Sequence, residues 1–232
     1  MNNPQPGDAR WIVVIPAKGL AVAKSRLADR AGARRPELAL AMLLDTVTAA
    51  IGARRVHRVL VVTADDVIGA AVSALRAAAV PDVADAGVNA ACLLGIAAAV
   101  ASEPSCGVAL LVGDLPALRP DELDAALRLA DSAGVLVVAD RDGEGTTLLA
   151  ARTTSSLHPS FGAGSFARHR ALGAVSAPIA RLTGIRCDVD DDAGLAVALQ
   201  LDVGAATRDV LRRLDSGSLG NMGAQTDPGS AP

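Results

Sequence analysis

Residues 11–26 read WIVVIPAKGLAVAKSR, an apolar run that leads into a turn-rich segment with three basic residues. The run has the length and composition of a strand that is buried on both faces of a sheet. Comparable short runs recur along the chain and alternate with longer segments whose apolar residues follow helical spacing. This alternation is typical of βαβ units, so the sequence predicts an α/β fold with a mostly parallel sheet.

The elements can be placed along the chain from the same pattern. The predicted strands are WIVVIP, VLVVT, GVALLVGD, GVLVVAD, TTLLAA and GIRCDVD. The predicted helices cover residues 36–53, 65–79 and 89–101 and the segment RPDELDAALRLADSAG, which has Pro120 near its first turn and Gly134 beyond its end. We predict a flexible N-terminus at 1–10, one domain at 11–214 and a disordered tail at 215–232, because the ends lack apolar periodicity.

Composition excludes several classes of protein. The chain of 232 residues has a net charge of −3 and 1% aromatic residues, so it lacks the basic surface and the stacking side chains of a nucleic-acid binder. No apolar window is long enough for a transmembrane helix, and the first ten residues lack the apolar core of a signal peptide. Cys92, Cys106 and Cys187 have no metal-binding spacing, so we interpret them as reduced packing residues of a cytoplasmic protein.

The two lysines of the sequence, Lys18 and Lys24, both follow the first predicted strand, and Arg26 lies beside them. The segment lacks the glycines of a P-loop or a dinucleotide fingerprint, and GAGSFA at Gly162 follows a polar loop instead of a strand. Ligands of an open α/β sheet bind beyond the carboxyl ends of its strands, where compact ammonium groups suit phosphate. The basic segment is therefore either a phosphate site or a solvated basic surface.

Acidic residues follow two other predicted strands. Asp114 ends the run VALLVGD, where a carboxylate alone would be an ordinary turn residue or helix cap. Asp188 and Asp190 are two residues apart, which puts them on one face of an extended chain and makes them repel each other unless a cation lies between them. Asp191 and Asp192 occupy positions suited to capping the next helix. Carboxylates of this kind suit Mg²⁺, which takes its other ligands from water and substrate phosphates.

Six segments in this order carry a family resemblance: PAKGLAVAKSRL, LAMLLDT, GDLPAL, ADRDGEGTTLL, FGAGSFARH and CDVD. Together they resemble the guanylyltransferases of coenzyme F-420 biosynthesis, from about Trp11 to about Thr207. The resemblance implies a single-domain, three-layer fold like that of the nucleotide-diphospho-sugar transferases, which is a Rossmann-like nucleotidyltransferase fold. It also implies a magnesium-dependent transfer of GMP from GTP to phosphoenolpyruvate or to 2-phospho-L-lactate.

The resemblance further implies roles for individual residues. Metal ions would be held by Asp114, Asp188 and Asp190, and the small phosphorylated acid would contact Thr146, Gly162 and Ser165. Glu144 and Gly164 depart from the family pattern near those contacts.

In the chemistry that this implies, Lys18, Lys24 and Arg26 would cradle the departing β- and γ-phosphates, and Lys18, Lys24 and Asp114 would be catalytic. Asn89 would either bind the nucleoside or cap its helix, and its position favours capping.

Two alternatives stay open at the level of sequence. The chain is compatible with a nucleotidyltransferase of the same fold that acts on another phosphorylated acceptor, such as 3-phosphoglycerate, a sugar phosphate or the molybdenum cofactor pterin. A non-catalytic GTP-binding regulator is the second alternative, although such a protein would not need three acids at the point of phosphoryl transfer.

Overall fold

The computed structural model describes residues 10–21, 27, 32–178 and 182–221. Within these residues seven strands form one sheet, in the order β3-β2-β1-β4-β6-β5-β7. The strands are β1 (Trp11–Pro16), β2 (Val56–Thr63), β3 (Ala78–Pro81), β4 (Gly107–Leu111), β5 (Val135–Ala139), β6 (Thr146–Ala151) and β7 (Val175–Ser176). β6 runs antiparallel to both of its neighbours, and the other pairings are parallel. The predicted α/β class with a mostly parallel sheet is therefore confirmed.

Helices flank this sheet. They are α1 (Arg35–Gly52), α2 (Asp66–Ala74), α3 (Val88–Ser102), α4 (Pro120–Ala133), α5 (Ser165–Ala171), α6 (Asp192–Gln200) and α7 (Ala205–Asn221). Proline lies in the first turn of α1 and of α4, where its missing N–H costs no hydrogen bond, and Gly134 ends α4 with a φ of 73°. Across the described chain, no helix combines the length and the apolar character needed to span a bilayer.

Side chains alternate along each strand between the two faces of the sheet, and this divides the core into two layers. Trp11, Val13 and Ile15 of β1 pack on the face covered by α1, α2 and α4, whereas Ile12 and Val14 pack on the face covered by α3. Both faces of the central strands are buried, which is why these strands read as continuous apolar runs. Cys92, Cys106 and Cys187 are buried and free, as expected of reduced packing residues.

A third apolar cluster lies outside α1. Leu38 and Met42 of that helix pack against Leu195 of α6 and Val210 of α7, so α1 is covered on both sides. On the opposite face of the sheet, a Cβ at Gly95 of α3 would overlap the side chain of Val14, so glycine permits the close contact of helix and sheet. The chain therefore forms helix layers on both sides of one sheet.

The structure corrects two of the predicted elements. GIRCDVD is not a strand: Gly184–Arg186 form a 3-10 turn, and among the described residues no ladder pairing involves residues 187–190. The backbone N–H groups at the start of this segment bond to the carboxylate of Glu122 instead of to a neighbouring strand. The predicted helix 65–79 ends at Ala74, because Arg76 adopts a left-handed conformation (φ 68°) and the chain then enters the edge strand β3.

The described residues bear on one of the two predicted boundaries of the domain. Helix α7 continues to Asn221, past residue 214, where the sequence places the end of the domain. Residues 1–9 of the predicted N-terminus and residues 222–232 of the predicted tail lie outside the described residues.

Candidate active site

The candidate site lies along one edge of the sheet. The carboxyl ends of β1, β4 and β5 meet there, and because β6 is antiparallel its first residue, Thr146, lies at the same edge. Lys18 follows β1 and is exposed. Lys24 and Arg26, the other basic residues predicted to bind phosphate, lie outside the described residues.

Asp65 holds the beginning of the loop that carries Lys18. Its Oδ2 accepts a hydrogen bond from the Leu20 N–H (3.0 Å), and its Oδ1 accepts from the N–H groups of Val67 and Ile68 at the start of α2 (2.9 and 3.3 Å). The Leu20 hydrogen bond is the main reason that the pKa of Asp65 lies below its ordinary value. Asp65 thus connects the loop after β1 to the loop after β2, a role that sequence analysis missed.

Asp114 follows β4 in a segment that a buried threonine supports. Thr46 Oγ1 accepts a hydrogen bond from the Leu115 N–H (3.0 Å) and lies 3.2 Å from the Gly113 carbonyl oxygen. The Asp114 carbonyl in turn accepts from the Val189 N–H (3.0 Å). This contact brings the segment of Asp188 and Asp190 against the end of β4, although the two regions are far apart in sequence.

The carboxylates at this edge interact electrostatically. Burial first, and then the nearby charges of Asp114, Asp190 and Asp140, raise the pKa of Asp188 to about 7. The three predicted acids are therefore close enough to interact electrostatically, and so is Asp140, which follows β5. Sequence analysis missed Asp140, although it ends an apolar strand just as Asp114 does.

Asp140 organises the turn between β5 and β6. Its carboxylate accepts hydrogen bonds from the N–H groups of Glu144 (2.9 Å) and Gly145 (2.6 Å), and a Cβ at Gly145 would overlap that carboxylate. Arg186 donates to the carbonyls of Ala139 (3.1 Å) and Asp140 (2.6 Å). The segment that carries Asp188 is therefore fixed to the end of β5 as well as to the end of β4.

The four acids do not form a complete metal cage. Among the residues that the structure describes, no group of three His, Cys, Asp or Glu side chains is positioned to hold a metal ion. The predicted magnesium site at Asp114, Asp188 and Asp190 stays a prediction. The oxygen donors are of the kind that Mg²⁺ prefers, and one or two carboxylates suffice when phosphates complete its shell.

Asp191 has the capping role that the sequence indicated. It is the N-cap of α6, and its side chain accepts a hydrogen bond from the Gly194 N–H (2.8 Å). Asp191 is therefore a structural acid directly beside the candidate metal-binding acids, which makes it a useful control.

The loop that precedes α5 links the three residues that are predicted to contact the acid substrate, Thr146, Gly162 and Ser165. The Ser165 N–H donates to the Gly162 carbonyl (3.0 Å), and Gly162 has a φ of 119°, which glycine adopts without strain. Ser165 is buried, whereas Gly162 is exposed. The Phe166 N–H donates to the Glu144 carbonyl (3.0 Å), which joins the start of α5 to the turn that contains Asp140.

His169 connects Thr146 to the same loop. Its Nδ1 lies 2.9 Å from Thr146 Oγ1, and its Nε2 accepts from the Ser160 N–H (2.9 Å). The ring of Phe161 lies edge-on to the imidazole, with a distance of 5.2 Å between the ring centroids. A single sequence offers no signal for this network.

Asn89 is not the cap of its helix, which corrects the interpretation favoured from sequence. Gly87 is the N-cap of α3, and no side chain caps that end. Instead, Asn89 Oδ1 accepts from the Phe161 N–H (2.7 Å), and Asn89 Nδ2 donates to the Phe161 carbonyl (3.2 Å). Asn89 therefore fixes the loop before α5 to the first turn of α3.

The sequence matches one protein family along most of its length. The model of the family described as "Guanylyl transferase CofC like" matches residues 11–215. A phosphoenolpyruvate guanylyltransferase from Thermomonospora curvata is 45% identical over 222 residues, with 96% of each chain covered. The protein of the same name from Streptomyces avermitilis is 46% identical over 206 residues, with 88% of this chain and 95% of the relative covered.

Solved structures agree on the fold. A protein from Desulfovibrio desulfuricans that is assigned to the nucleotide-diphospho-sugar transferases superimposes with a TM-score of 0.67 at 14% identity, covering 90% of this chain and 96% of its own. A nucleotidyl transferase from Methanothermobacter superimposes with a TM-score of 0.61 at 20% identity, covering 83% and 97%. The predicted nucleotide-diphospho-sugar-transferase-like fold is confirmed.

Proposed function

Because the chain belongs to the family of CofC-like guanylyl transferases, we propose that it transfers GMP from GTP to phosphoenolpyruvate and releases pyrophosphate. The choice of acceptor follows the names of relatives that are about 45% identical over most of the chain. The alternative acceptor is 2-phospho-L-lactate, which the test below includes.

One observation supports the proposal above the others. The charges of Asp114, Asp190 and Asp140 all act on Asp188, at the sheet edge where the Lys18 loop begins. Such a cluster of acids is costly to assemble unless it receives a cation, and the adjacent lysine suits phosphate. Nucleotidyl transfer is a reaction that uses both features at one place.

The chemistry matches what these residues offer. A phosphate oxygen of the acceptor attacks the α-phosphorus of GTP, the bond to the β-phosphate breaks, and pyrophosphate leaves with the electron pair. The attacking oxygen is already anionic at neutral pH, so the site needs alignment and charge neutralisation instead of a general base. We assign the neutralisation of the departing phosphates to Lys18, with Lys24 and Arg26 as further candidates from sequence.

The acids are assigned to magnesium. We propose that Asp114, Asp188 and Asp190 bind Mg²⁺ that arrives with the nucleotide, whose phosphates complete the coordination shell. The ion would supply charge stabilisation at the α-phosphorus and the attacking oxygen. Thr146, Gly162 and Ser165 are assigned to the acid, and the loop before α5 orients them.

Two further assignments complete the proposal. We propose GTP as the preferred nucleotide on the strength of the family. Asn89 stays among the nucleotide-binding candidates, although its amide already bonds to Phe161. We propose the cytoplasm as the compartment, because three free buried cysteines are typical of a reducing environment.

The test is the release of pyrophosphate from GTP in the presence of magnesium. Phosphoenolpyruvate, 2-phospho-L-lactate and 3-phosphoglycerate are compared as acceptors, and ATP is compared with GTP. The proposal predicts release that depends on phosphoenolpyruvate and is much faster with GTP than with ATP. If the protein binds GTP but none of the three acids leads to pyrophosphate release, the chain is instead a GTP-binding regulator.

A further inference from the structure

We propose that His169 is a positioning residue that fixes the direction of the Thr146 hydroxyl, so that this hydroxyl donates a hydrogen bond to an anionic oxygen of the three-carbon acid. The inference rests on the proposed function, because it assigns a role in binding the acceptor. In this role His169 acts through Thr146 and does not itself contact the acid.

The hydrogen bonds of His169 determine its tautomer. The Ser160 backbone N–H can only donate, and it lies 2.9 Å from His169 Nε2, so Nε2 carries a lone pair. The ring is neutral, because burial and then the charge of Arg168 lower its pKa to about 4. A neutral imidazole with a lone pair on Nε2 carries its proton on Nδ1.

Thr146 must therefore accept from His169. The Nδ1–H donates to Thr146 Oγ1 over 2.9 Å, which occupies a lone pair of the hydroxyl oxygen. The hydroxyl hydrogen is then left to donate in another direction. With the opposite tautomer, Thr146 would donate to the ring and present only lone pairs, which would repel a phosphate or carboxylate.

The position of Thr146 agrees with such a role. Thr146 is the first residue of β6 and pairs with Ala139, the residue before Asp140. It is 5% exposed, so water competes little for its hydroxyl. Because hydrogen bonds to a charged partner are stronger than neutral ones, a hydroxyl with a fixed donor direction favours an anionic ligand.

Two substitutions separate this role from loop support. An asparagine amide superimposes on the Nδ1 side of imidazole, so His169→Asn keeps a donor to Thr146 but loses the acceptor for Ser160. A glutamine amide reaches the Nε2 side, so His169→Gln keeps the acceptor for Ser160 and loses the donor. We expect His169→Gln to raise KM for phosphoenolpyruvate by roughly tenfold or more, the scale of one hydrogen bond to an anion, and to leave KM for GTP unchanged.

His169→Asn should restore KM for the acid to within about threefold of the wild-type value, given the approximate overlay of the two side chains. If His169 only supports the loop, the order is reversed and the asparagine variant is the impaired one. That reversed order, equal impairment of both variants or impairment of neither would overturn the inference.

A double-mutant cycle tests whether His169 acts through Thr146. Thr146→Val removes the hydroxyl at nearly constant shape, and we expect a rise in KM for the acid similar to that of His169→Gln. In the Thr146→Val background, His169→Gln should then add little, because the two residues act as one unit. Fully additive effects would contradict the proposal.

The tautomer can also be measured without any substitution. Nitrogen-15 NMR of the wild-type protein at pH 7 should find a protonated Nδ1 and an unprotonated Nε2 for His169. A charged ring or a proton on Nε2 would overturn the inference even if both variants failed to fold. If the tautomer is as expected but wild-type protein releases no pyrophosphate with phosphoenolpyruvate, the proposed function fails on its own.

Discussion

At the scale of single residues, Asp188 concentrates the electrostatic cost of the candidate site. Burial and three neighbouring carboxylates raise its pKa to about 7, so the protein without ligand holds a group that resists ionisation. A bound cation would reverse that cost, which gives Asp188 different expected effects on stability and on activity.

Asp188→Asn should lower the turnover rate by about a hundredfold or more at saturating GTP, the scale of removing one group that stabilises the transition state. Without ligand the variant should be as stable as the wild type or slightly more stable, because a repelling charge is lost. The rise in Tm caused by magnesium plus GTP should shrink. Pyrophosphate release and thermal unfolding measure these effects.

Asp190→Asn should behave in the same way, and Asp191→Asn is the matched control. Asn caps a helix about as well as Asp, so the control should keep its turnover and its ligand-induced shift in Tm. Near-native rates and full shifts in Asp188→Asn and Asp190→Asn would exclude the metal assignment.

Lys18→Ala should weaken the turnover of GTP and leave the fold intact, because Lys18 is exposed and removing an exposed charge costs little stability. Arg58→Ala is its control: Arg58 is an exposed cation on the same sheet, near the start of β2 and away from the site edge. Equal turnover in both variants would identify the Lys18 loop as a solvated surface. The sequence predicts the same loss for Lys24→Ala.

His169 should also make stability depend on pH. In the unfolded chain its pKa returns to about 6.5, whereas in the folded protein it is about 4. Between these values the unfolded state binds more protons, so the contribution of His169 to stability is present above about pH 6.5 and is lost as the pH falls towards 4. Denaturant titrations at pH 4.5 and 7.5 measure the free energy of unfolding of the wild type and of His169→Asn. The stability of the wild type relative to the variant should be lower at pH 4.5 than at pH 7.5. A difference independent of pH would contradict this assignment.

At the scale of elements, the segment that carries Asp188 and Asp190 is held by a buried acid of α4. Glu122 Oε1 accepts from the N–H groups of Thr183 (2.6 Å) and Gly184 (2.9 Å), at the start of the 3-10 turn that carries Arg186. These contacts replace the ladder hydrogen bonds of a strand, and they allow the acids to approach the end of β4.

Glu122→Ala should destabilise the protein by about 1–3 kcal/mol, because the backbone N–H groups of Arg119, Thr183 and Gly184 lose their acceptor. It should also reduce turnover, since residues 183–190 lose their support. Denaturant unfolding, hydrogen exchange of that segment and pyrophosphate release measure the effects. Asp121→Asn changes an exposed acid one residue earlier and should have little effect. An unchanged exchange rate in Glu122→Ala would contradict the supporting role.

Asn89 gives α3 a similar function for the loop before α5. Asn89→Ala removes both hydrogen bonds to Phe161, so it should raise KM for the acid and leave KM for GTP unchanged. Ser102→Ala, at the other end of α3, is the control and should change neither constant. A selective rise in KM for GTP would instead mean that Asn89 holds the nucleoside.

At the scale of the whole molecule, sequence pattern predicted the sheet class and five of its strands, because central strands buried on both faces read as apolar runs. The edge strand β3 has the sequence AAVP, whose alanines and proline give little strand signal. GIRCDVD reads as a strand because its apolar residues alternate, and the sequence does not show that the Gly184 N–H bonds to Glu122 instead of to a neighbouring strand.

The candidate site, like the fold, could be predicted only in part from the sequence. The sequence predicts Asp114, Asp188 and Asp190 as site residues. Asp140 also follows a predicted strand, so the same reasoning about strand ends could have identified it. The supporting residues Asp65, Glu122 and His169 contact partners that are distant in sequence, so spacing along the chain carries no sign of them.

The central claim is that the chain joins the phosphate of phosphoenolpyruvate to the α-phosphorus of GTP. Phosphorus-31 NMR of the protein with GTP, magnesium and phosphoenolpyruvate tests it most directly. The account predicts that the phosphoenolpyruvate signal is replaced by that of an unsymmetrical diphosphate diester, with one equivalent of pyrophosphate and no GDP. Formation of GDP and inorganic phosphate, or unchanged spectra of both substrates, would contradict it.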